Sequence, residues 1–219
     1  MKPRAVCLDV MGTLFELSAA RDRLEALGAP AATLEAWFGR LLHAAAAVTL
    51  IGEYRPFPEL AKPVLESVLA QLDLDPEGAG EVLEALAELD AYPDAGTALE
   101  RLAEGGVRLV ALTNGTEQNT KTLLARGGLD RYVERVIPTD AVGLYKPHPA
   151  VYRHAAEQLA LPAGDVTLLA AHGWDVIGAQ AAGLGAVWVS RLERLWPLPL
   201  PEPPAAADLN EAVDRILGG

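Results

Sequence analysis

The sequence predicts an α/β fold in which a parallel, doubly wound sheet carries an all-helical insertion after its first strand. A short apolar run, Ala5 to Leu8, stops at Asp9, and such a run is typical of a strand buried on both faces. Helical patterns without a strand signal then occupy the chain to about Asp90. From Tyr92 onward, strand and helix patterns alternate, and this alternation favours a parallel sheet.

The insertion divides into four predicted helices. Ser18 is expected to cap the first helix, and Gly28 to stop it. Pro58 fits the first turn of the third helix, where its missing N–H costs nothing. The predicted helices are Ser18 to Gly28, Pro30 to Thr49, Pro58 to Leu72 and Pro76 to Leu89.

The alternating region after Tyr92 supplies the remaining strands. Asp94, Thr116 and Asp208 are expected to cap helices, and Asp175 to open one. The stretch from Pro197 to Pro204 is rich in proline and is predicted to be an extended connector. The predicted strands are Val107 to Leu112, Tyr132 to Ile137, Val166 to Ala170 and Ala186 to Ser190.

Composition restricts the function classes. The chain has 219 residues, of which 51% are hydrophobic and 22% charged, and its formal charge is −12. This charge argues against nucleic acid or an anionic membrane as a partner. A small anionic substrate is compatible with it, but such a substrate must be captured by local positive groups.

The same sequence predicts a soluble, cytoplasmic protein. Cys7 is the single cysteine, so no disulfide framework is possible and a reducing compartment fits. The first ten residues lack the apolar core of a signal peptide. The longest apolar stretch, Leu41 to Ile51, contains His43 and is predicted to be too short to span a bilayer.

Polar side chains follow successive strands of the predicted sheet. Because ligands of open parallel sheets bind outside the carboxyl ends of the strands, these side chains are expected to gather at one edge. A carboxylate, a hydroxyl–amide pair, a lysine and a second carboxylate together predict an active site. The residues concerned are Asp9, Thr113, Asn114, Lys146, His172, Trp174 and Asp175.

These residues, in this order, resemble the haloacid dehalogenase superfamily. The matching motifs are DVMGTLF, LTNG, the lysine of YKPHPAVY, and WD in AAHGWDVIGAQAAG. The resemblance covers essentially the whole chain. It implies a Rossmann-like core formed by residues 1–15 and 91–219, with a helical cap at residues 16–90.

Within the superfamily, the closer likeness is to the L-2-haloacid dehalogenases. The phosphatases usually carry a second aspartate two residues after the nucleophile, and here that position is Met11. They also tend to have an acidic pair that holds magnesium, and here its first member corresponds to Ala171. A hard divalent cation needs several oxygen ligands, so no metal and no other cofactor is expected.

The likeness implies covalent catalysis. Asp9 attacks C2 of a small 2-haloacid, displaces halide with inversion and forms an ester that water then hydrolyses. Lys146 neutralises Asp9 or the substrate carboxylate, Asp175 orients Lys146 or the water, and Thr13 supports the nucleophile loop. The other expected substrate contacts are Thr113 and Asn114 to the carboxylate, with Val10, Met11, Phe38, Leu42, Phe57, Tyr152 and Trp174 around the substrate.

Three positions depart from the dehalogenase pattern. Those enzymes carry a cap arginine directly after a tryptophan, where it cradles the halide, whereas here Trp37 is followed by Phe38. His172 stands where asparagine is usual, and Ala170 where serine is usual. The histidine either activates the hydrolytic water or replaces an amide hydrogen bond.

Two other functions remain open from the sequence. A magnesium-dependent phosphatase acting on a small phosphate ester is the first, and chelator sensitivity would reveal it. A catalytically silent protein that binds a small carboxylate or a protein partner is the second. The apolar cap helices also permit a homodimer.

Overall fold

The computed structural model describes residues 2–218 and contains one six-stranded sheet in the order β3-β2-β1-β4-β5-β6. All neighbouring strands pair in parallel, so the predicted sheet is confirmed. The strands are β1 (Ala5–Leu8), β2 (Arg108–Thr113), β3 (Arg135–Pro138), β4 (Val166–Ala170), β5 (Gly185–Val189) and β6 (Ala205–Ala206).

Helices cover both faces of the sheet. Four lie between β1 and β2 in sequence and precede α5, as the predicted insertion requires. The helices are α1 (Ser18–Ala26), α2 (Thr33–Ile51), α3 (Phe57–Gln71), α4 (Ala79–Ala85), α5 (Ala95–Glu104), α6 (Glu117–Arg126), α7 (Pro149–Gln158), α8 (Gly173–Ala181) and α9 (Leu209–Gly218).

Strand β1 lies at the centre of the sheet, between β2 and β4. Its side chains alternate between two apolar layers: Val6 and Leu8 join one, and Ala5 and Cys7 join the other. All four are fully buried, which explains why the run is continuously apolar and not alternating. Asp9 is therefore delivered to the middle of the carboxyl edge.

The chain leaves and re-enters the sheet domain at adjacent points. Phe15 forms an antiparallel bridge with Ala91. The N–H of Glu16 donates to the carbonyl of Asp90 at 2.9 Å, and that of Tyr92 donates to the carbonyl of Leu14 at 2.9 Å. We propose on this basis that residues 1–15 and 91–219 form the core and residues 16–90 the cap; Met1 and Gly219 lie outside the described residues.

Helix α2 is the longest element of the proposed cap. Its indole residue, Trp37, is buried and donates from Nε1 to the carbonyl of Ala61 on α3 at 3.2 Å. By length and composition alone, this helix could cross a membrane, which the sequence analysis did not expect. Leu34, Trp37 and Leu41 nevertheless pack in the apolar layer that the cap shares with the sheet.

Two predicted elements are shorter than expected. The predicted strand from Tyr132 begins only at Arg135, because Tyr132 and Val133 make turn hydrogen bonds to Leu129 and Asp130. The predicted fourth helix is a 3₁₀ turn followed by α4. It ends at Ala85, where bonds between residues three apart tighten the chain.

Helix caps are partly as predicted. Thr116 accepts from the N–H of Asn119 and Asp208 from that of Glu211, which confirms both. Asp94 makes no capping bond, because its carboxylate is bonded to Arg191 and to a backbone N–H of α9. Ser18 is the first helical residue and not its cap.

The start of α8 and the strand β6 also differ from the sequence prediction. Helix α8 begins at Gly173, two residues before Asp175, because His172 already has the extended backbone of a position preceding a helix. The two-residue strand β6 follows the predicted connector and pairs with β5. It is too short to produce a sequence pattern.

Gly178 of α8 provides a test of this packing. A Cβ there would lie 2.6 Å from the hydroxyl of Tyr152 and 2.7 Å from the carbonyl of Pro147. We expect Gly178→Ala to lower the free energy of unfolding by about 1–3 kcal/mol through overpacking. Gly96→Ala is the control, since a Cβ there meets nothing within 4 Å.

In the control, the better helix propensity of alanine should raise the free energy of unfolding by about 0.5–1 kcal/mol. Urea unfolding of both variants measures the difference. Equal midpoints would contradict the close approach at Gly178.

Candidate active site

Asp9 follows β1 and begins a tight loop. Its N–H donates to the carbonyl of Leu169 at 3.0 Å, which extends the β1–β4 pairing by one residue. Gly12 then adopts a left-handed conformation with φ of 77°. A Cβ there would lie 2.9 Å from the His172 ring and 2.8 Å from Leu192, so this turn requires glycine.

Lys146 lies between two carboxylates. Its Nζ donates to Oδ1 of Asp9 at 3.0 Å and to Oδ2 of Asp175 at 2.8 Å. The side chains of Lys146 and Asp175 are 1% and 0% exposed, and that of Asp9 is 10% exposed. The sequence predicts that these three residues lie at one edge of the sheet. In the structure, Lys146 contacts both carboxylates.

Burial and charge move the pKa values of the two carboxyl groups in opposite directions. Burial alone would raise the pKa of Asp9, but Lys146 and the hydrogen bonds from His172 and Thr13 outweigh it and hold that pKa below its usual range. Burial dominates at Asp175, where Lys146 offsets only part of the effect and Asp9 adds to it, so its pKa is raised. Asp9 is therefore ionised, and Asp175 is the stronger base.

The pKa of Lys146 is raised as well. Burial would lower it, but the adjacent Asp175 and Asp9 carboxylates outweigh burial. The ammonium therefore remains charged in a place where an unpaired charge would be very costly. It neutralises Asp9 from beneath and is itself paired with both carboxylates.

The second oxygen of Asp9 is held from the other side. The hydroxyl of Thr13 donates to Oδ2 at 2.7 Å and accepts from the N–H of Ala171 at 2.9 Å. His172 Nδ1 lies 3.1 Å from the same oxygen. Because Asp9 is ionised, that nitrogen must carry the proton and donate it.

The end of β2 borders the same place. Oδ1 of Asn114 accepts from the N–H of Lys146 at 3.0 Å, which leaves the amide nitrogen of Asn114 as a donor. The hydroxyl of Thr113 accepts from the N–H of Gly115 at 3.0 Å, so its own hydrogen is available. Both side chains are thus prepared to donate hydrogen bonds to an anion.

Tyr152 lies behind Asp175. Its buried hydroxyl donates to Oδ1 of Asp175, and burial and the adjacent carboxylate raise its pKa well above the usual value. Tyr152 was expected beside Lys146 as a substrate contact, whereas the structure places it against Asp175. It is fully buried and orients that carboxylate.

A small cavity of about 30 Å³ opens onto Asp9. It combines one carboxylate, the polar end of β2 and an apolar wall. Its lining residues are Asp9, Met11, Phe38, Leu42, Phe57, Thr113, Asn114, Gly115, His172 and Trp174.

Four predicted site residues lie beneath the cavity and do not line it. Thr13, Lys146 and Asp175 reach it only through Asp9, and Tyr152 only through Asp175. Val10 lies elsewhere: its side chain is in the core, and its carbonyl accepts the N–H groups of the loop that follows.

Aromatic rings form one wall. Phe38 stacks on His172 with ring centroids 5.7 Å apart, and His172 lies 5.1 Å from the Trp174 ring. Arg40, the nearest cap arginine to Phe38 in sequence, bonds to Gln71 on α3. The side chain beside His172 on this wall is therefore the phenyl ring of Phe38, and the guanidinium of Arg40 is held by α3.

Two residues at the site, Arg191 and Gly115, were not predicted from the sequence. Arg191 donates to the carbonyl of Thr13 at 3.4 Å and pairs with Asp94, so it supports the loop that follows Asp9. Its position after β5 carries no sequence signal. Gly115 belongs to the motif LTNG and could have been found there.

The residues present do not fit a magnesium ion. The ammonium of Lys146 already occupies the space between Asp9 and Asp175, and Met11 supplies no oxygen ligand. Within residues 2–218, no group of three His, Cys, Asp or Glu side chains is arranged to hold a metal.

The fold and this centre define a hydrolase. The family model described as haloacid dehalogenase-like hydrolase matches residues 3–183. The chain belongs to this family, which confirms the resemblance inferred from its motifs.

Relatives of known sequence and solved structures support membership of the same family. An (S)-2-haloacid dehalogenase of Burkholderia cepacia is 31% identical over 192 residues, covering 86% of this chain and 83% of the relative. A crystal structure of an L-2-haloacid dehalogenase superposes with a TM-score of 0.92 at 28% identity and covers 99% of both chains. The Xanthobacter autotrophicus enzyme, with chloropropionic acid covalently bound, gives 0.87 at 26% identity and also covers 99% of both.

Lys146→Met tests the buried centre. Without the ammonium, two buried carboxylates face each other, and we expect a loss of about 3–5 kcal/mol in the free energy of unfolding near neutral pH. Both carboxyl pKa values should then lie above their unfolded values. Ionisation of such groups destabilises the fold, so the variant should regain stability as the pH falls through those raised values.

Urea unfolding between about pH 8 and pH 5 measures this recovery. Lys121→Met is the control, because Lys121 makes an exposed pair with Glu117 and should change stability by no more than about 0.5 kcal/mol. A Lys146→Met deficit that stays constant with pH would contradict the predicted coupling.

Proposed function

We propose that this chain is a metal-independent dehalogenase that hydrolyses small L-2-haloacids through an ester at Asp9. The observation that carries the proposal is an ionised Asp9 that faces a cavity while Lys146 neutralises it from below. Relatives of 31% and 30% identity are named (S)-2-haloacid dehalogenases, and one of 29% identity is named a haloacetate dehalogenase; these names support the substrate class.

The cavity suggests how such a substrate lies. The amide of Asn114 and the hydroxyl of Thr113 are free to donate to the substrate carboxylate. Met11, Leu42 and Phe57 line the same space and provide an apolar surface for C2 and its substituent. The reacting carbon is thereby held against Asp9.

The two oxygens of Asp9 take different roles in the proposed first step. Oδ2 is bonded by both Thr13 and His172, whereas Oδ1 is bonded by Lys146. Oδ1 therefore keeps a lone pair free, and we assign the attack to it. An Oδ1–C2 bond forms, the carbon–halogen bond breaks with inversion, and the halide leaves with the bonding pair.

Water then adds to Cγ of Asp9. Negative charge develops on Oδ2, where Thr13 and His172 already donate, so these two groups form an oxyanion hole. The Cγ–Oδ1 bond breaks, and Lys146 protonates the departing oxygen, which becomes the hydroxyl of the product. One proton of the water passes to bulk solvent. The other, left on Asp9 when the ester bond breaks, returns to Lys146, so that Asp9 and Lys146 are both charged again. Asp175 accepts a hydrogen bond from Lys146 and orients it.

The rival functions are less well supported. A magnesium-dependent phosphatase requires a cation where Lys146 lies, and an acid where Met11 stands. A silent carboxylate-binding protein does not require an ionised nucleophile at the cavity.

Location in the cytoplasm also remains a prediction. The buried Cys7 agrees with it, since burial raises the pKa of its thiol to about 12. A homodimer remains a prediction too.

The proposed activity predicts halide release. The purified protein should release chloride from L-2-chloropropionate in excess chelator, and Asp9→Asn should lose at least about 10³-fold in rate because the nucleophile is gone. After many turnovers in ¹⁸O water, mass spectrometry should find the label in Asp9. Activity that requires magnesium, or an unlabelled Asp9, would overturn the proposal.

A second prediction assigns the role of His172. If its Nδ1–H stabilises the oxyanion, an amide can replace it, so His172→Asn should keep ester hydrolysis within about tenfold. His172→Leu should slow hydrolysis about 10²–10³-fold and accumulate the ester after one burst of halide. Equal losses in both variants would instead identify His172 as the base for the water.

A further inference from the structure

The cavity at Asp9 is too small for the proposed substrate. Its volume of about 30 Å³ has room for only about two or three water molecules, since one water needs about 10–15 Å³ by this measure. Even the smallest 2-haloacid has several non-hydrogen atoms. Substrate binding therefore requires that part of the wall move into space beyond it.

A much larger cavity lies directly behind that wall. It has a volume of about 460 Å³, and we call it the chamber. Four residues line both spaces and form the partition between them: Phe38, Leu42, His172 and Trp174. Leu17, Leu34 and Tyr92 add further apolar surface to the chamber.

We propose that the chamber receives the apolar C2 substituent of an extended 2-haloacid, with an alkyl or aryl chain longer than that of propionate. This inference rests on the proposed function, whose reacting centre supplies the other half of the site. When Phe38 rotates away from His172, the two spaces join, and a chain attached to C2 passes across the partition. Such a substrate uses volume that a small haloacid leaves empty.

Charge sets the direction of the substrate. Glu16 and Glu193 line the chamber, and its cation, Arg21, is already paired with Glu35. Acidic walls repel a carboxylate and a departing halide. The carboxylate therefore stays at Asn114, and the uncharged chain is the part that enters the chamber.

Gly39 allows the chamber to be filled without rebuilding the site. It lines the chamber on α2, and a Cβ there would meet nothing within 4 Å. Gly39→Leu replaces a poor helix former with a good one, so the fold is preserved. Gly80→Leu is the matched control, because Gly80 on α4 has equal space and lines neither cavity.

The experiment compares kcat/KM for 2-bromooctanoate and 2-bromopropionate, which share a leaving group. The wild type should favour the octanoate by about tenfold or more, since one methylene in a fitted pocket already counts for that much. Gly39→Leu should lower this ratio by at least about tenfold, and Gly80→Leu should not change it. Calorimetric binding of octanoate and propionate, which cannot react, should show the same pattern.

The outcomes separate the two proposals. Bromide release from 2-bromopropionate with no preference for the longer acid, or equal ratios in the two variants, overturns the chamber and leaves the dehalogenase. No bromide from either acid overturns the proposed activity. In that case, octanoate binding that Gly39→Leu weakens would still support the chamber, and no octanoate binding would overturn it.

Discussion

The ammonium of Lys146 is the group on which this active site depends. Two carboxylates, Asp9 and Asp175, lie buried beside it, and neither could remain ionised in that place without a cation. Because Lys146 contacts both, its charge lowers the pKa of each carboxyl group and keeps Asp9 ionised. Burial and the neighbouring Asp9 nevertheless leave the pKa of Asp175 raised. The hydrogen bonds that only Asp9 receives, from Thr13 and His172, add to the difference between two chemically similar acids.

The fold brings these three groups together from distant parts of the chain. Parallel pairing of β1 with β2 and β4 places Asp9 beside the loops that follow its neighbours. The close approach of α8 at Gly178 to Tyr152 then fixes the helix that carries Asp175. Packing beneath the cavity therefore fixes where the Asp175 carboxylate lies beside Lys146.

The sequence was sufficient for the sheet, the insertion and the polar edge, because each leaves a local signal: an apolar run that ends at Asp9, helical periodicity, and polar residues after strands. It did not reveal that Tyr152 faces Asp175 or that Arg191 supports Thr13. These contacts join residues 23 and 178 positions apart, and only the packed fold selects them. The contacts of Asp94 with Arg191 and α9 escaped prediction for the same reason, whereas β6 has only two residues and leaves no pattern.

Phe38 shows how a departure from the family pattern can be physically coherent. An arginine at this position would supply a cation for the leaving halide, but it would also place a charge beside His172 and at the boundary of the chamber. The phenyl ring instead stacks on His172 and forms a wall that can move without breaking an ion pair. The site thereby gives up electrostatic help at the leaving group and gains apolar volume next to C2. In a protein of charge −12, that exchange favours substrates whose binding relies on buried hydrocarbon, with Lys146 left to provide the charge compensation.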